Sequence, residues 1–338
     1  MNNSENIGIA GIGIYVPQGV HTSRYIAEKS GIPVEVIEEK FGIMQKHKAG
    51  PDEHPSDMAI AAAKQALEDF DPAEIDMVIY CGSEYKDYYV WSLAAKIQHE
   101  IGAKKAFAFE VMALCASGIL SLKIAKDMML REKDINNVLL VTASKELDLV
   151  DYTNERSRFM FNFGDGAAAV LLKKNYKKNR VLETCIITDG SFSEDVMVIG
   201  GGSKFPPSYK TIDKKLHRLD VPDPKGMKER LDKVSETNFI KVIKTCVEKS
   251  GYTIQDVNFL APIHMKKSIH SALLKYLGLK EENSFYLENY GHVQSADAII
   301  ILKEAQNRNL LKNGDLVVMV GAGTGYTWGA TALKWGES

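Results

Sequence analysis

Glu110-Val111-Met112-Ala113-Leu114-Cys115-Ala116-Ser117-Gly118 is the stretch on which the fold turns: an apolar strand that runs into a cysteine and is followed at once by a helix. Residues 106–114 form a short, mostly apolar run rich in Phe and Val, and Ile119, Leu120, Leu122, Ile124, Met128 and Met129 then repeat at helical spacing. Cys115 is thereby placed at a strand-to-helix junction. A helix N-terminus offers unpaired N–H groups and partial positive charge, which favour thiolate over thiol and can receive a developing oxyanion. Ala116 and Gly118 leave room for a substrate. In isolation the ordinary reading of such a residue is a buried core thiol. The rest of the chain changes that reading.

The 338 residues, 45% of them hydrophobic, suffice for two domains of ordinary size or one duplicated α/β body with a large core. A net charge of -2 shows no global bias toward nucleic acid or an acidic membrane surface. Cys81, Cys115, Cys185 and Cys246 form no CxxC pair, so neither a metal site nor a disulfide framework is expected, and a reducing cytoplasm is. The opening Met1-Asn2-Asn3-Ser4-Glu5-Asn6 lacks a positive segment before an apolar one, and no apolar run is long enough to span a bilayer. A protein without targeting segment or membrane span is expected.

Outward from Cys115, strands are expected at 7–16, 75–81 and 137–143, with helices at 56–67 and 92–101. Gly8, Gly11 and Gly13 do not make a dinucleotide fingerprint, because Tyr15-Val16-Pro17-Gln18-Gly19 turns the chain into a loop where that fingerprint needs a helix. Phe163-Gly164-Asp165-Gly166-Ala167 is a tight turn into a buried strand, and the charged run Lys173-Lys174-Asn175-Tyr176-Lys177-Lys178 then breaks the pattern. The domain boundary is placed there, dividing the chain into 1–178 and 179–338. The second part brings a strand at 180–189, a Lys-rich surface stretch at 204–228, helices at 239–246 and 268–277, and the strand 259–263 that delivers His264. Tyr290-Gly291-His292 precedes an apolar helix, and Gly321-Ala322-Gly323-Thr324-Gly325-Tyr326-Thr327-Trp328-Gly329 is a glycine turn into the closing strand. Both parts alternate strands with helices and end in a small-residue turn followed by an apolar strand. A duplicated βα body with its central helices between two sheets is the economical reading.

Cys115, His264 and His292 each sit at a strand end or beside a small-residue turn, positions that converge in a layered α/β protein. A thiol with two histidines can open a thioester and then stabilise an enolate oxygen. Glu84, in Gly82-Ser83-Glu84, also ends a buried strand, where α/β enzymes place their chemistry.

These residues resemble the 3-oxoacyl-acyl-carrier-protein synthase III group of the thiolase superfamily. The resemblance runs from Ile9-Ala10-Gly11-Ile12-Gly13-Ile14-Tyr15-Val16-Pro17 nearly to the C-terminus, and is most specific at Gly323-Thr324-Gly325-Tyr326-Thr327-Trp328-Gly329. It implies a thiolase-like duplicated five-layered α-β-α-β-α fold, a homodimer built largely through the N-terminal half, and a cofactor-free acyltransferase fed by CoA or acyl-carrier-protein thioesters. By the same resemblance Cys115 is the acyl-accepting nucleophile, His264 the conserved histidine with His270 a weaker rival, and His292 stands where the group has asparagine. Cys115 and Thr324 would supply the oxyanion-hole N–H groups.

Three departures are visible. Residues 34–40 lack the Trp and Arg that hold the CoA adenine, which favours a carrier-protein donor. Pro262-Ile263-His264-Met265-Lys266 replaces Pro-His-Gln-Ala-Asn, leaving one residue of ambiguity in the histidine's position. His292 gives a Cys-His-His set compatible with decarboxylating a malonyl group. Glu84 matches the general base of the related 3-hydroxy-3-methylglutaryl-CoA synthases, which opens non-decarboxylative condensation as an alternative. A reading of another class is a non-catalytic partner subunit that keeps the fold to bind an acyl carrier.

Overall fold

The computed structural model describes residues 6–337; residues 1–5, which hold most of the N-terminal stretch read above for targeting, lie outside them. Nine strands carry the architecture: β1 (Ile7–Tyr15), β2 (Met77–Tyr80), β3 (Phe107–Glu110), β4 (Asn137–Ser144), β5 (Gly166–Lys174), β6 (Lys178–Thr188), β7 (Val257–Pro262), β8 (Leu316–Gly323) and β9 (Thr327–Glu337). They run in the order β7-β8-β9-β6-β1-β5-β4-β2-β3. The two sets of strands meet at β1 and β6 through a single pair, Gly8 with Arg180.

The duplication is explicit in this order. β1-β5-β4-β2-β3 is antiparallel twice and then parallel twice. β6-β9-β8-β7 repeats it, and the place equivalent to β3 is taken by a parallel bridge from Leu260 to Ser284. Six helices complete the layers: α1 (Pro55–Ala66), α2 (Leu93–Glu100), α3 (Ser117–Arg131), α4 (Pro224–Lys249), α5 (Lys267–Leu277) and α6 (Asp297–Asn307). α1 and α2 cover the outer face of the first set, α4 and α5 that of the second, and α3 and α6 touch strands of both. The stacking is α-β-α-β-α. Sandwiched between two sheets, α6 buries Ala298, Ile299, Ile300, Ile301, Leu302 and Ala305 around most of its circumference, as a helix with no solvent face must.

Three boundaries differ from the sequence reading. β3 stops at Glu110, because that carboxylate turns away to accept the N–H groups of Leu93 (2.6 Å) and Ala94 (3.3 Å) and so caps α2. The helix expected at 239–246 starts far earlier, inside the Lys-rich surface stretch 204–228: Asp223 caps it by accepting Gly226 N and Pro224 opens the 26-residue α4. β5 continues through Lys173 and Lys174, so the break between the halves narrows to residues 175–177.

Lys46 is fully buried between the 160s turn and Gly291; its Nζ donates to the Phe161 carbonyl and lies 5.2 Å from the Tyr152 ring centre. Burial pulls its ammonium down to about 7. The unfolded chain, with an ordinary lysine near about 10.4, binds more protons between those values, so this group makes stability rise with pH across that window and is silent below it. Lys46→Met is expected to flatten that rise, read from denaturant midpoints between pH 7 and 10.

Candidate active site

The N-termini of the two central helices point at one another. Leu114–Ala116 and Gln294–Ala296 are single 3-10 turns that enter α3 and α6, and each begins with a non-glycine residue in the left-handed region, Leu114 at φ 51 and Gln294 at φ 56. They occupy equivalent places in the duplicated halves. Such strained residues persist only where the surroundings hold them, and they cluster at functional sites. Here the first elbow presents Cys115 and the second presents Gln294.

Cys115 is 6% exposed and lies at the end of a cavity of about 1050 Å³ whose wall includes Glu84, Leu114, Glu146, Phe163, Gln294 and Thr324. Its Sγ donates to Gln294 Oε1 at 2.6 Å. Burial pushes the thiol up, while His292, by charge and hydrogen bond, pulls it back part of the way. The resting side chain is therefore a thiol with the His292 ring beside it.

His292 is fixed on both sides. Its backbone N–H donates to Asn162 O (2.7 Å) and its carbonyl accepts from Gly164 N (3.0 Å), so the Phe163 turn and the Tyr290-Gly291-His292 segment form one unit. Gly291 has φ 73, and a Cβ there would lie 2.5 Å from Asn162 O, which is why a side chain is excluded at that crossing. His292 Nδ1 is 2.5 Å from Asp297 Oδ2, which leaves Nε2 as the nitrogen facing the thiol. Burial lowers the imidazolium, but the Asp297 carboxylate and Cys115 outweigh it and hold it well above the ordinary histidine value. Asp297, with no exposed surface, also accepts the backbone N–H groups of His264 (2.7 Å) and Val293 (2.6 Å).

His264 is not brought to the thiol. Asn162 Nδ2 donates to its Nδ1 (3.0 Å), its Nε2 donates to Gly42 O (3.3 Å), and burial takes it down to about 4, so it is neutral and occupied. Successive residues leaving a strand point to opposite sides, and the single residue between Pro262 and His264 decides the matter. Ile263, directly after the proline, belongs instead to the hydrophobic cluster that also holds Ala322 and Tyr326. His270, also buried and lowered to about 4, packs edge-on against Tyr286 at 5.1 Å and does not line the cavity. Glu84 does line it, from an exposed position.

Three residues of this site escaped the sequence reading. Gln294 and Asp297 both follow Tyr290-Gly291-His292 on the way into the apolar helix, where an Asp at the head of a hydrophobic run is the available signal. Glu146 follows the end of β4, so the strand-end argument that singled out Glu84 applies to it equally. Asp165 in the Gly-Asp-Gly turn anchors that segment by accepting Leu147 N (3.1 Å) and Ala49 N (2.9 Å).

Gly323 presses on the Cys115 elbow: a Cβ would lie 2.3 Å from Ala113 O and 3.2 Å from Cys115 N. Gly323→Ala is expected to cost about 1–3 kcal/mol in stability, measured by denaturant unfolding, and to slow acyl uptake by displacing Cys115.

Comparison with known proteins agrees with this geometry. The family model of 3-oxoacyl-[acyl-carrier-protein] synthase III matches residues 109–190, and that of the synthase III C-terminal part matches 247–335. The beta-ketoacyl-[acyl-carrier-protein] synthase III of Symbiobacterium thermophilum is 30% identical over 98% of each chain. This chain belongs to the 3-oxoacyl-acyl-carrier-protein synthase III family. That of Caldanaerobacter subterraneus subsp. tengcongensis is 29% identical, again over 98% of each chain. The crystal structure of the Aquifex aeolicus synthase III superposes with a TM-score of 0.84 at 28% identity, covering 97% of this chain and all of that one. The fold is thus thiolase-like and the protein is a condensing acyltransferase. Among the described residues no cluster of His, Cys, Asp and Glu is placed to hold a metal ion, and no helix is long and apolar enough to cross a membrane.

Proposed function

We propose that Cys115 takes an acyl group from a CoA or acyl-carrier-protein thioester and that a second thioester attacks the acyl-enzyme in a Claisen condensation. The observation that carries this reading is a buried thiol at a helix N-terminus, facing a large cavity, with the His292–Asp297 pair directly behind it. The His292 ring, held charged by Asp297, stabilises the sulfur as the thiol gives up its proton and attacks; the thioester C–S bond breaks and the CoA or carrier thiol leaves with that proton. The backbone N–H groups of Cys115 and Thr324, on either side of the glycine turn, receive the oxyanion of the tetrahedral intermediate. The cavity mouth supports a phosphopantetheine donor: His217 and Arg218 line both the main cavity and an adjoining hollow that carries Lys29 and Lys215.

The two units of the repeat are 1–178 and 179–338 in this reading, supported by the repeated strand order. A homodimer through the first unit is part of it as well. β3 is an edge strand with Phe107 48% exposed, and Tyr88 and Tyr89 stand out nearby.

Intact mass after incubation with acetyl-CoA, or with an acetylated carrier protein, tests the reading. An acetyl adduct that is lost in Cys115→Ala is expected. No adduct with either donor would favour the non-catalytic partner subunit.

A further inference from the structure

Glu146 is a buried carboxyl group without a direct ion pair among the described residues. It is 9% exposed and lines the cavity; Ser83 Oγ donates to its Oε1 and Gln294 Nε2 to its Oε2, and among the described residues no Lys, Arg or His pairs with it. The charge of His292 eases this burial only in part, and removing a carboxylate from water without a direct ion pair is costly. Gln294 links it to the nucleophile, since the same amide accepts the Cys115 thiol proton through Oε1. The glutamine is held for this by its left-handed backbone, φ 56, at the second elbow.

We propose that Glu146 is the base that removes an α-proton from the second, uncarboxylated acyl thioester, and that Gln294 positions it and releases it when Cys115 is acylated. The inference rests on the acyl-Cys115 reading above. Once Sγ carries an acyl group it has no proton to give, so Gln294 Oε1 loses its donor and the amide, held at one end instead of two, is free to swing away from Glu146. Glu146 Oε2 then becomes available to a substrate in the same cavity. In the step itself the α-C–H proton passes to the Glu146 carboxylate, and the C–H electron pair forms the new C–C bond to the acyl carbonyl carbon. The C–S bond to Cys115 breaks, its electrons stay on sulfur, and the sulfur pairs with the His292 imidazolium. The Glu146 proton returns to water through the cavity.

Two further features agree. Burial raises the Glu146 carboxyl above its ordinary value, which strengthens it as a base; the Ser83 hydrogen bond and the His292 charge offset part of that rise, and Glu84 adds to it. Two glutamates on one cavity wall oppose entry of a malonyl carboxylate, so the arrangement selects a substrate that has an α-proton to lose and no carboxylate. Glu84, exposed and without a partner holding it toward Cys115, is the poorer base.

The test uses trideuterated acetyl-CoA in ordinary water, with mass spectrometry reading the Cys115 adduct, loss of deuterium from the α-carbon and the condensed thioester. Wild type is expected to show the adduct, deuterium wash-out and condensation without CO2. Glu146→Gln is expected to take up the adduct, which also reports its folding, while wash-out falls on the order of 100-fold or more. Gln294→Leu is expected to lower wash-out with the adduct retained. An adduct without wash-out in the wild type, or CO2 release from malonyl-CoA with deuterium left in place, overturns the inference without any variant. Wash-out that survives Glu146→Gln but is lost in Glu84→Gln overturns it in favour of Glu84. Absence of any adduct in the wild type overturns the acyl-enzyme reading itself, and this inference with it.

Discussion

Cys115→Ala is expected to abolish the acyl adduct and to lower condensation on the order of 10⁴-fold or more, because every later step starts from the thioester on Sγ. Stability should change by only about 1 kcal/mol: the substitution deletes one sulfur from a site that already opens on a cavity. The thiol proton's contact to Gln294 is lost with it, yet the glutamine amide keeps its bond to Glu146. Folding and chemistry are therefore separable at this position. A far-UV spectrum and melting curve close to wild type, with no mass adduct, is the expected pair of results. An adduct that persists in Cys115→Ala would remove the nucleophile from the proposed chemistry.

Asp297→Ala should be costly in both respects. One fully buried carboxylate accepts from His292 Nδ1 and from the backbone N–H groups of His264 and Val293, so its loss orphans two buried donors and an imidazolium together. Truncating one partner of a buried charged pair typically costs about 3–5 kcal/mol, and a fall in denaturant midpoint of that size is expected here. The loss should depend on pH. His292 is raised in the fold above its unfolded value of about 6.5, so its stabilisation is complete below that value and fades as pH rises through the folded pKa. The stability gap between wild type and Asp297→Ala is accordingly largest at mildly acidic pH and narrows toward alkaline pH. Acyl uptake should fall as well, because Asp297 holds the His292 ring with Nε2 toward the thiol. A gap independent of pH would mean that Asp297 acts only as an acceptor for backbone N–H groups.

Legibility differed sharply between the elements and the site. The apolar strand into Cys115, the Gly164 and Gly323 turns and the alternation of strands with helices are local patterns, and each is found in the structure close to where periodicity places it. The strand-end argument singles out Glu84 and passes over Glu146, although both follow buried strands. Burial and partners distinguish them, and those come from Ser83 and from Gln294, 148 residues away in the chain.

What the amino-acid sequence determines by itself is the duplicated α/β body and the placing of a cysteine at the head of its first central helix. Period-2 and period-3.6 hydrophobicity reports which faces are buried, and the small-residue turns report where the chain reverses. The tertiary structure alone decides what surrounds Cys115. The slip of one residue after Pro262 turns Ile263 into the hydrophobic cluster with Ala322 and Tyr326 and His264 away from it, a rotation that no local pattern specifies. The meeting of Cys115 with Gln294, 179 residues apart, exists only because two equivalent helices are packed head to head between the sheets. Side-chain chemistry at that junction follows from packing geometry, which is why Cys115 and His292 could be read along the chain while Gln294 and Asp297 could not.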